Sequence, residues 1–115
     1  MAQKHGTTVV ISTRAQKEAG RLTPNAVAVE PVPLSSSLMQ AISSVDGAVL
    51  MGIDGFCYAF GAILDGNVQK EEDPACGARH NSALRYVKTQ NKKHGSCCCA
   101  IVVSEDGPVS FFPRE

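Results

Sequence analysis

The stretch CGARHNSALRYVKTQNKKHG, residues 76–95, is typical of a helix, yet Arg79 and His80 fall in its first turn. A helix N-terminus carries about half a positive unit charge and several unpaired N–H donors, so acidic or neutral residues are usual there. Gly77 allows a ligand to approach the backbone, and the planar guanidinium of Arg79 suits phosphate. The pattern favours an anion site. The alternative is that both basic residues pair with the acidic run EED at positions 71–73.

A carboxylate stands at a second position suited to chemistry. Asp46-Gly47 joins a predicted helix to the apolar stretch AVLMGI, residues 48–53. At such a loop position a carboxylate can bind a divalent metal or a hydroxyl group. An Asp-Gly pair is also an ordinary connector, so the residue types alone leave both interpretations open.

Five cysteines, three of them consecutive at 97–99, raise the question of zinc or disulfides. Neighbouring side chains of a strand point to opposite faces, so three in a row cannot ligate one ion well. Cys76 and His80 have a C-x3-H spacing, but no second close pair accompanies them. We therefore expect no structural zinc and reduced, mostly buried thiols. A cysteine-centred redox or metal protein is the weakest alternative.

Length and charge restrict the classes of function. A chain of 115 residues with 43% hydrophobic residues fits one domain with a single core. Eleven basic and eleven acidic side chains give a formal net charge of zero, which argues against nucleic acid or a membrane surface as the partner. Since neither a signal peptide nor a membrane-spanning run is recognisable, a cytoplasmic location is expected.

Apolar patterning predicts an α/β fold, a mixed twisted sheet flanked by helices. Strands are predicted at 7–12, 25–33, 48–53 and 56–64, with two more inside 97–112. Helices are predicted from about residue 13 with Gly20 as the stop, at 35–45 behind a serine cap, and from about Arg79 to Gly95. Asp54-Gly55 predicts a tight hairpin with positive φ at both turn positions. Residues 65–77 are predicted to form a surface loop.

Taken in order, these motifs resemble the diadenylate cyclase (DAC) domain, the family typified by the N-terminal domain of the DNA integrity scanning protein DisA. That family carries D-G-A at a strand start, a hairpin, a variable loop, G-T-R-H-R opening a helix, and an apolar strand ending in V-S-E. The chain has DGA at 46–48, GARHN at 77–81 and IVVSEDG at 101–107. The resemblance implies one DAC-like nucleotide-binding domain over residues 1–115, with its core at about 7–112. This span is also compatible with a truncated or minimal version of the DAC domain.

The resemblance also implies roles for particular positions. Asp46 would contact Mg²⁺ or Mn²⁺ and the attacking ribose 3′-hydroxyl, as the catalytic residue of an active enzyme. Backbone groups near Ile63 and Leu64 would meet adenine, and Arg79 would lie on the phosphates. The full set of implied nucleotide contacts is Gly47, Ala48, Ile63, Leu64, Gly77, Arg79, His80, Ser82 and Ser104.

Two departures from the family pattern bear on activity. Ala78 replaces the threonine of G-T-R-H-R, and Asn81 replaces its second arginine. The segments ILDG, DPACGARHNSALRYV and VVSEDG look closer to a sensor-type branch known as DACNV. The leading hypothesis is therefore a sensor that binds an adenine nucleotide or cyclic dinucleotide and acts on an effector protein. The alternative is an active, metal-dependent diadenylate cyclase that converts two ATP to cyclic di-AMP as a homodimer.

Overall fold

A six-stranded mixed sheet with helices packed on it makes up the computed structural model, which describes residues 6–42, 46–70, 72–104 and 108–113. The strands are β1 (Thr7–Ser12), β2 (Val27–Pro33), β3 (Ala48–Gly52), β4 (Phe56–Ala62), β5 (Cys98–Val103) and β6 (Val109–Phe112). The helices are α1 (Ala15–Leu22), α2 (Ser36–Ile42) and α3 (Gly77–His94), with a 3-10 turn at Pro74–Cys76. The predicted α/β class with a mixed sheet is confirmed.

The strand order β2-β4-β3-β1-β5-β6 decides where the site lies. β1 is central, parallel to β3 and antiparallel to β5. Thr8 stands opposite Ala48 on β3 and opposite Val102 on β5. The start of β3 and the end of β5 therefore flank the start of β1 at one edge of the sheet, which brings two motifs that are far apart in sequence together.

The two faces of the sheet are covered differently. α1 and α3 pack on one face over the main core, where Val10, Leu50, Tyr86 and Val87 are almost completely buried. α2 covers part of the other face through a smaller cluster around Ile42, Val49 and Cys57. Burying these apolar groups provides the main favourable free energy of folding.

The predicted end of α1 at Gly20 is wrong, since the helix continues to Leu22. Gly20 is exposed, and a glycine in an exposed helix costs only about 1 kcal/mol relative to alanine. Burial of Leu22, which is 6% exposed, outweighs that cost. Pro24 follows closely and cannot continue a helix.

The Asp54-Gly55 hairpin lies between β3 and β4, but its predicted turn geometry is wrong. Gly55 has a φ of 84°. In the described part of the chain only glycines have a positive φ, so Asp54, the other predicted turn residue, does not. The Gly55 N–H donates to the Gly52 carbonyl at 3.0 Å. The turn therefore needs only one residue of positive φ, and the Asp54 carboxylate instead accepts from the Phe56 N–H and the Tyr58 hydroxyl.

The serine cap predicted for α2 is confirmed, because the Ser35 hydroxyl accepts from the Leu38 N–H at 3.1 Å. The helix ends at Ile42, and the predicted continuation to Val45 lies outside the described residues. β2 begins at Val27 rather than at Asn25. Its internal Pro31 is tolerated because β2 is an edge strand of the sheet.

Candidate functional site

An open cavity of about 1070 Å³ lies at the edge where β1 and β3 begin and β5 ends. Every residue that the sequence indicated for the site lines this cavity: Asp46, Gly47, Ala48, Ile63, Leu64, Gly77, Arg79, His80, Ser82 and Ser104. They come from the start of β3, the segment after β4, the first turns of α3 and the end of β5. The sheet order brings these four segments together.

The first turn of α3 faces the start of β3. The Arg79 guanidinium lies 3.4 Å from the Asp46 carboxylate, and the Asp46 side chain is 98% exposed. α3 has no acidic residue in its first turn, so no side chain there offsets the positive end of the helix dipole. Within the described parts of the chain, the cavity mouth thus presents helix N–H groups and a guanidinium on one side and the Asp46 carboxylate on the other.

The alternative pairing of Arg79 with the acidic run at 71–73 is not what the described residues show. Glu72 pairs with Arg85 at 2.6 Å. The Asp73 carboxylate accepts from the Ala75 N–H at the start of the 3-10 turn. Glu71 lies outside the described residues. Arg79 instead pairs with Asp46 at the cavity mouth.

Gly6, just before β1, makes room for Arg79. A Cβ at this position would lie 2.8 Å from Nη1 of Arg79 and 2.6 Å from the Val103 carbonyl oxygen. Only glycine lets the guanidinium lie this close to the backbone between β1 and β5. Gly6 was not among the predicted site residues, because its role depends on the pairing of strands far apart in sequence.

One wall of the cavity consists of two glycines in contact. Gly47 has a φ of 113°, and a Cβ there would lie 2.5 Å from the backbone carbon of Gly61. Gly61 also has a positive φ, of 63°, and the register between β3 and β4 shifts at this point. This bulge exposes backbone rather than side chains to the cavity, as suits close approach of a flat ligand group.

His80 is held by an aromatic neighbour. Its ring packs edge-on against Phe112 of β6, with 4.9 Å between ring centroids. The Ser104 hydroxyl donates to the Pro108 carbonyl at 3.3 Å, which leaves its oxygen able to accept. Thr8 and Ser110 also line the cavity.

The segment after β4 was expected to offer backbone groups near Ile63 and Leu64. The Ile63 N–H already donates to the Asn25 carbonyl at 2.7 Å. A ligand at this wall would therefore meet the Ile63 carbonyl or the backbone of Leu64. The Ile63 side chain is 66% exposed and adds apolar surface at the rim.

The two departures from the family motif occupy different positions. Ala78 lines the cavity and presents a methyl group there. The Asn81 amide is bound to the preceding loop: it accepts from the Asp73 N–H at 3.0 Å and donates to the Asp73 carbonyl at 2.8 Å. Asn81 thus stabilises the entry to α3 rather than facing a ligand.

Gly6, Thr8, Gly61 and Ser110 line or shape the cavity but were not predicted to belong to it. A glycine within a strand pattern is a known sign of a bulge or close approach, and Gly61 could have been recognised that way. Thr8 and Ser110 follow ordinary strand alternation, which gives no sign that these residues line a cavity.

Asp46 provides one carboxylate to the cavity. Among the described residues, no group of three or more His, Cys, Asp or Glu side chains is arranged to hold a metal ion. Mg²⁺ is commonly held by one or two carboxylates together with substrate phosphates. The donor set therefore fits a divalent ion that binds together with a phosphate ligand.

The cysteines whose side chains are described, Cys57, Cys97, Cys98 and Cys99, are free thiols, as predicted. Cys57 and Cys97 are buried, whereas Cys98 and Cys99 are half-buried, so burial is less complete than expected. Burial is the main cause that raises the pKa of the Cys98 thiol, which disfavours the reactive thiolate. The Cys76 side chain, and with it the C-x3-H pair, lies outside the described part.

The fold and the cavity together define a DAC-like domain. The chain belongs to the DAC family, described as DisA bacterial checkpoint controller nucleotide-binding, whose model matches residues 1–115. It is similar to the crystal structure of a double mutant of DacA from Staphylococcus aureus, with a TM-score of 0.71 and 17% sequence identity. The match covers 94% of this chain and 69% of that chain, so the shared feature is the fold. No curated protein matches the sequence.

The described helices include none long and apolar enough to cross a membrane.

Proposed function

We propose that the cavity binds an adenine nucleotide or a cyclic dinucleotide, and that the domain acts as a sensor that reports this binding to an effector protein. The observation that supports this most is the Arg79–Asp46 pair, 3.4 Å apart at the cavity mouth beside a helix N-terminus without acidic residues. Phosphate fits such a place because N–H donors and a guanidinium converge on it. Membership of a family described as nucleotide-binding supports the same assignment.

The ligand's phosphates would bind the Arg79 guanidinium and the first N–H groups of α3, with His80 and Ser104 beside them. The sugar and base would lie along the Gly47–Gly61 backbone wall, toward Leu64. Binding would break the Arg79–Asp46 pair, which costs little because exposed ion pairs are worth about 0–1 kcal/mol. Asp46 would then hold Mg²⁺ or Mn²⁺ together with the phosphates, and the ion would neutralise part of their charge.

A sensor is favoured over an enzyme because of positions 78 and 81. Phosphoryl transfer depends on positioning and on neutralising the charge that develops in the transition state. Ala78 offers a methyl group to the cavity, and the Asn81 amide is engaged with Asp73. Arg79, His80 and the helix N-terminus are retained and would still bind a nucleotide. Without the threonine hydroxyl at position 78 and the arginine charge at position 81, the rate of phosphoryl transfer would fall.

The second candidate is an active diadenylate cyclase. The Asp46 carboxylate is 98% exposed at the cavity mouth, where a metal ion and a ribose hydroxyl could reach it. Each 3′-hydroxyl would attack the α-phosphate of the other ATP, so two ATP would yield cyclic di-AMP and two pyrophosphates. Two domains would have to face each other, each holding one ATP, which requires a homodimer.

Arg79→Ala tests the binding proposal. Loss of a charge-assisted hydrogen bond to phosphate should cost about 1.5–3 kcal/mol, so affinity for ATP or cyclic di-AMP should fall at least about tenfold. Calorimetric titration measures the affinity directly. Arg85→Ala is the matched control, because Arg85 lies on the same helix but pairs with Glu72 outside the cavity lining. Equal binding by wild type and Arg79→Ala would reject the proposal.

Asp46→Asn separates the sensor from the enzyme. Incubation of wild type with ATP and Mn²⁺, followed by mass spectrometry, should show no cyclic di-AMP if the domain is a sensor. In titrations, Asp46→Asn should then keep nucleotide binding and lose mainly its dependence on the metal. Formation of cyclic di-AMP by wild type, abolished in Asp46→Asn, would establish the enzyme instead.

A further inference from the structure

A polar network joins α1 to α3 and to the segment after β4; its members Glu18 and Tyr86 are buried, whereas the side chains of Arg21 and Asp65 are 42% and 55% exposed. Glu18 of α1 is 1% exposed. Its carboxylate accepts two hydrogen bonds from Arg21, at 2.7 and 2.8 Å, and one from the Tyr86 hydroxyl at 2.6 Å. Arg21 also donates to both oxygens of Asp65, at 2.6 and 2.8 Å. A single guanidinium therefore bridges two carboxylates in fork geometry.

The protonation states favour a persistent network. Burial alone would raise the pKa of Glu18, but hydrogen bonds from Arg21 and Tyr86 and nearby positive charge outweigh it and lower that pKa. The hydrogen bond from Arg21 is the main cause that lowers the pKa of Asp65. Both carboxylates are thus ionised at neutral pH, and the fork geometry of the guanidinium makes both pairs directional. Burial of Glu18 favours its pair with Arg21, whereas solvent weakens the exposed pair of Arg21 with Asp65.

The network reaches two elements that contribute residues to the cavity lining. Asp65 directly follows Ile63 and Leu64, which line the cavity. Tyr86 belongs to α3, whose first turn carries Arg79. Through Glu18 and Arg21, α1 therefore contacts both the helix that carries Arg79 and the segment that carries Ile63 and Leu64.

Hydrogen bonds fix the segment after β4 at both ends. The Ile63 N–H donates to Asn25 upstream, and the Asn67 N–H donates to the Thr89 hydroxyl downstream. Between these anchors the chain runs through Leu64 and Asp65, and the two hydrogen bonds from Arg21 to Asp65 hold this span. The Leu64 side chain packs against the main core, and the Arg21–Asp65 pair fixes the residue that follows it, so both contacts contribute to the position of the Leu64 backbone.

We propose that Arg21, held in place by buried Glu18, is a positioning residue that sets base selectivity: through Asp65 it places the backbone of Ile63 and Leu64 where it reads the edge of adenine. The proposal rests on the proposed function, since it assigns the base end of the same site. Adenine and guanine differ in the donors and acceptors on that edge, and fixed backbone groups discriminate between them because a mismatched buried group is left unpaired.

Asp65→Ala is the decisive variant, because it removes the link to the cavity wall and leaves Glu18, Arg21 and Tyr86 paired. Arg21→Gln is less suitable, since it would leave buried Glu18 without its main partner and destabilise the fold. Glu72→Ala is the matched control: Glu72 lies further along the same loop and pairs with Arg85 at 2.6 Å, away from the cavity lining.

The measurement is calorimetric titration of ATP against GTP, and of cyclic di-AMP against cyclic di-GMP. Wild type and Glu72→Ala should prefer the adenine ligand, and Asp65→Ala should lose about tenfold of that preference, equivalent to about 1.4 kcal/mol. A purely structural role would weaken adenine and guanine ligands by the same factor. Thermal melts of the three proteins verify that each is folded.

Three results would overturn the proposal: an unchanged ratio in Asp65→Ala, an equal loss of preference in Glu72→Ala, or no preference for adenine in wild type. Failure of the proposed function looks different, because wild type would then bind none of the four nucleotides. In that case the proposed positioning role of Arg21 is rejected together with nucleotide binding.

Discussion

Thr8 and Thr89 are both buried threonines, but their hydroxyl groups are in opposite situations. The Thr89 hydroxyl accepts from the Asn67 N–H at 2.9 Å and so anchors the loop after β4 to α3. The Thr8 hydroxyl is buried at the cavity edge with no partner among the residues that the structure describes. A buried polar group without a partner costs about 1–3 kcal/mol.

Replacing each threonine by valine, which has nearly the same shape, should therefore change stability in opposite directions. Thr8→Val should raise the free energy of unfolding by about 1 kcal/mol, because it removes an unpaired hydroxyl. Thr89→Val should lower it by about the same amount, because the Asn67 N–H loses its acceptor. Urea denaturation with an unchanged m-value measures both. A less stable Thr8→Val protein would mean that the hydroxyl has a partner in solution.

At the scale of single residues, sequence motifs are informative where chemistry requires a particular side chain. Arg79 and His80 are recognisable because basic residues at a helix start are unusual, whereas Asp46 is recognisable only through its place in the D-G-A motif. Gly6 was not recognisable, because its contact with Arg79 exists only after β1 and β5 pair. The Asn81 amide likewise bonds to Asp73, a local contact that a motif comparison does not reveal.

At the scale of elements, α1 is a short helix stabilised by its contacts rather than by its sequence. Gly20 lowers its intrinsic helix propensity, and we predicted the helix to end there. Burial of Ala19 and Leu22 and the pairing of Glu18 with Arg21 keep the next turn helical. The same pairing links α1 to α3 and to the segment after β4, a relation that hydrophobic periodicity cannot indicate.

The acid stability of the protein should reflect this network. The pKa values of Glu18 and Asp65 are lowered in the folded state, so near pH 4 the folded protein binds fewer protons than the unfolded chain. The stabilisation is present above the unfolded values, about 4, and is lost as pH falls through the lower folded values.

We expect urea midpoints to be constant from pH 7 to about 5 and to decrease below about pH 4. The Asp65→Asn variant has no titrating group at this position, so its urea midpoint should decrease less steeply with falling pH than that of wild type. A midpoint that rises on acidification, or an identical slope in the variant, would contradict the assignment of lowered pKa values to these carboxylates.

At the scale of the whole molecule, the class of fold was predictable but the order of the strands was not. Apolar patterns predict six strands and three helices, and all of these elements are present; β1 has the predicted ends, whereas the ends of other elements, such as β2 and α1, are shifted. Which strands pair depends on contacts between distant segments, such as Thr8 with Val102. The cavity was therefore predictable as a set of residues, whereas its shape follows from the order β2-β4-β3-β1-β5-β6.

The central place of β1 has a consequence for how the protein is made. β1 is synthesised before both of its neighbours, β3 and β5, and about 85 residues separate it from β5 in the sequence. Until Cys98–Val103 emerges, the nascent chain carries an apolar strand with one edge unpaired, which is a template for aggregation. Contacts this distant in sequence also slow folding. The arrangement that assembles the cavity from distant motifs thus leaves one edge of β1 exposed in the growing chain until β5 has been synthesised.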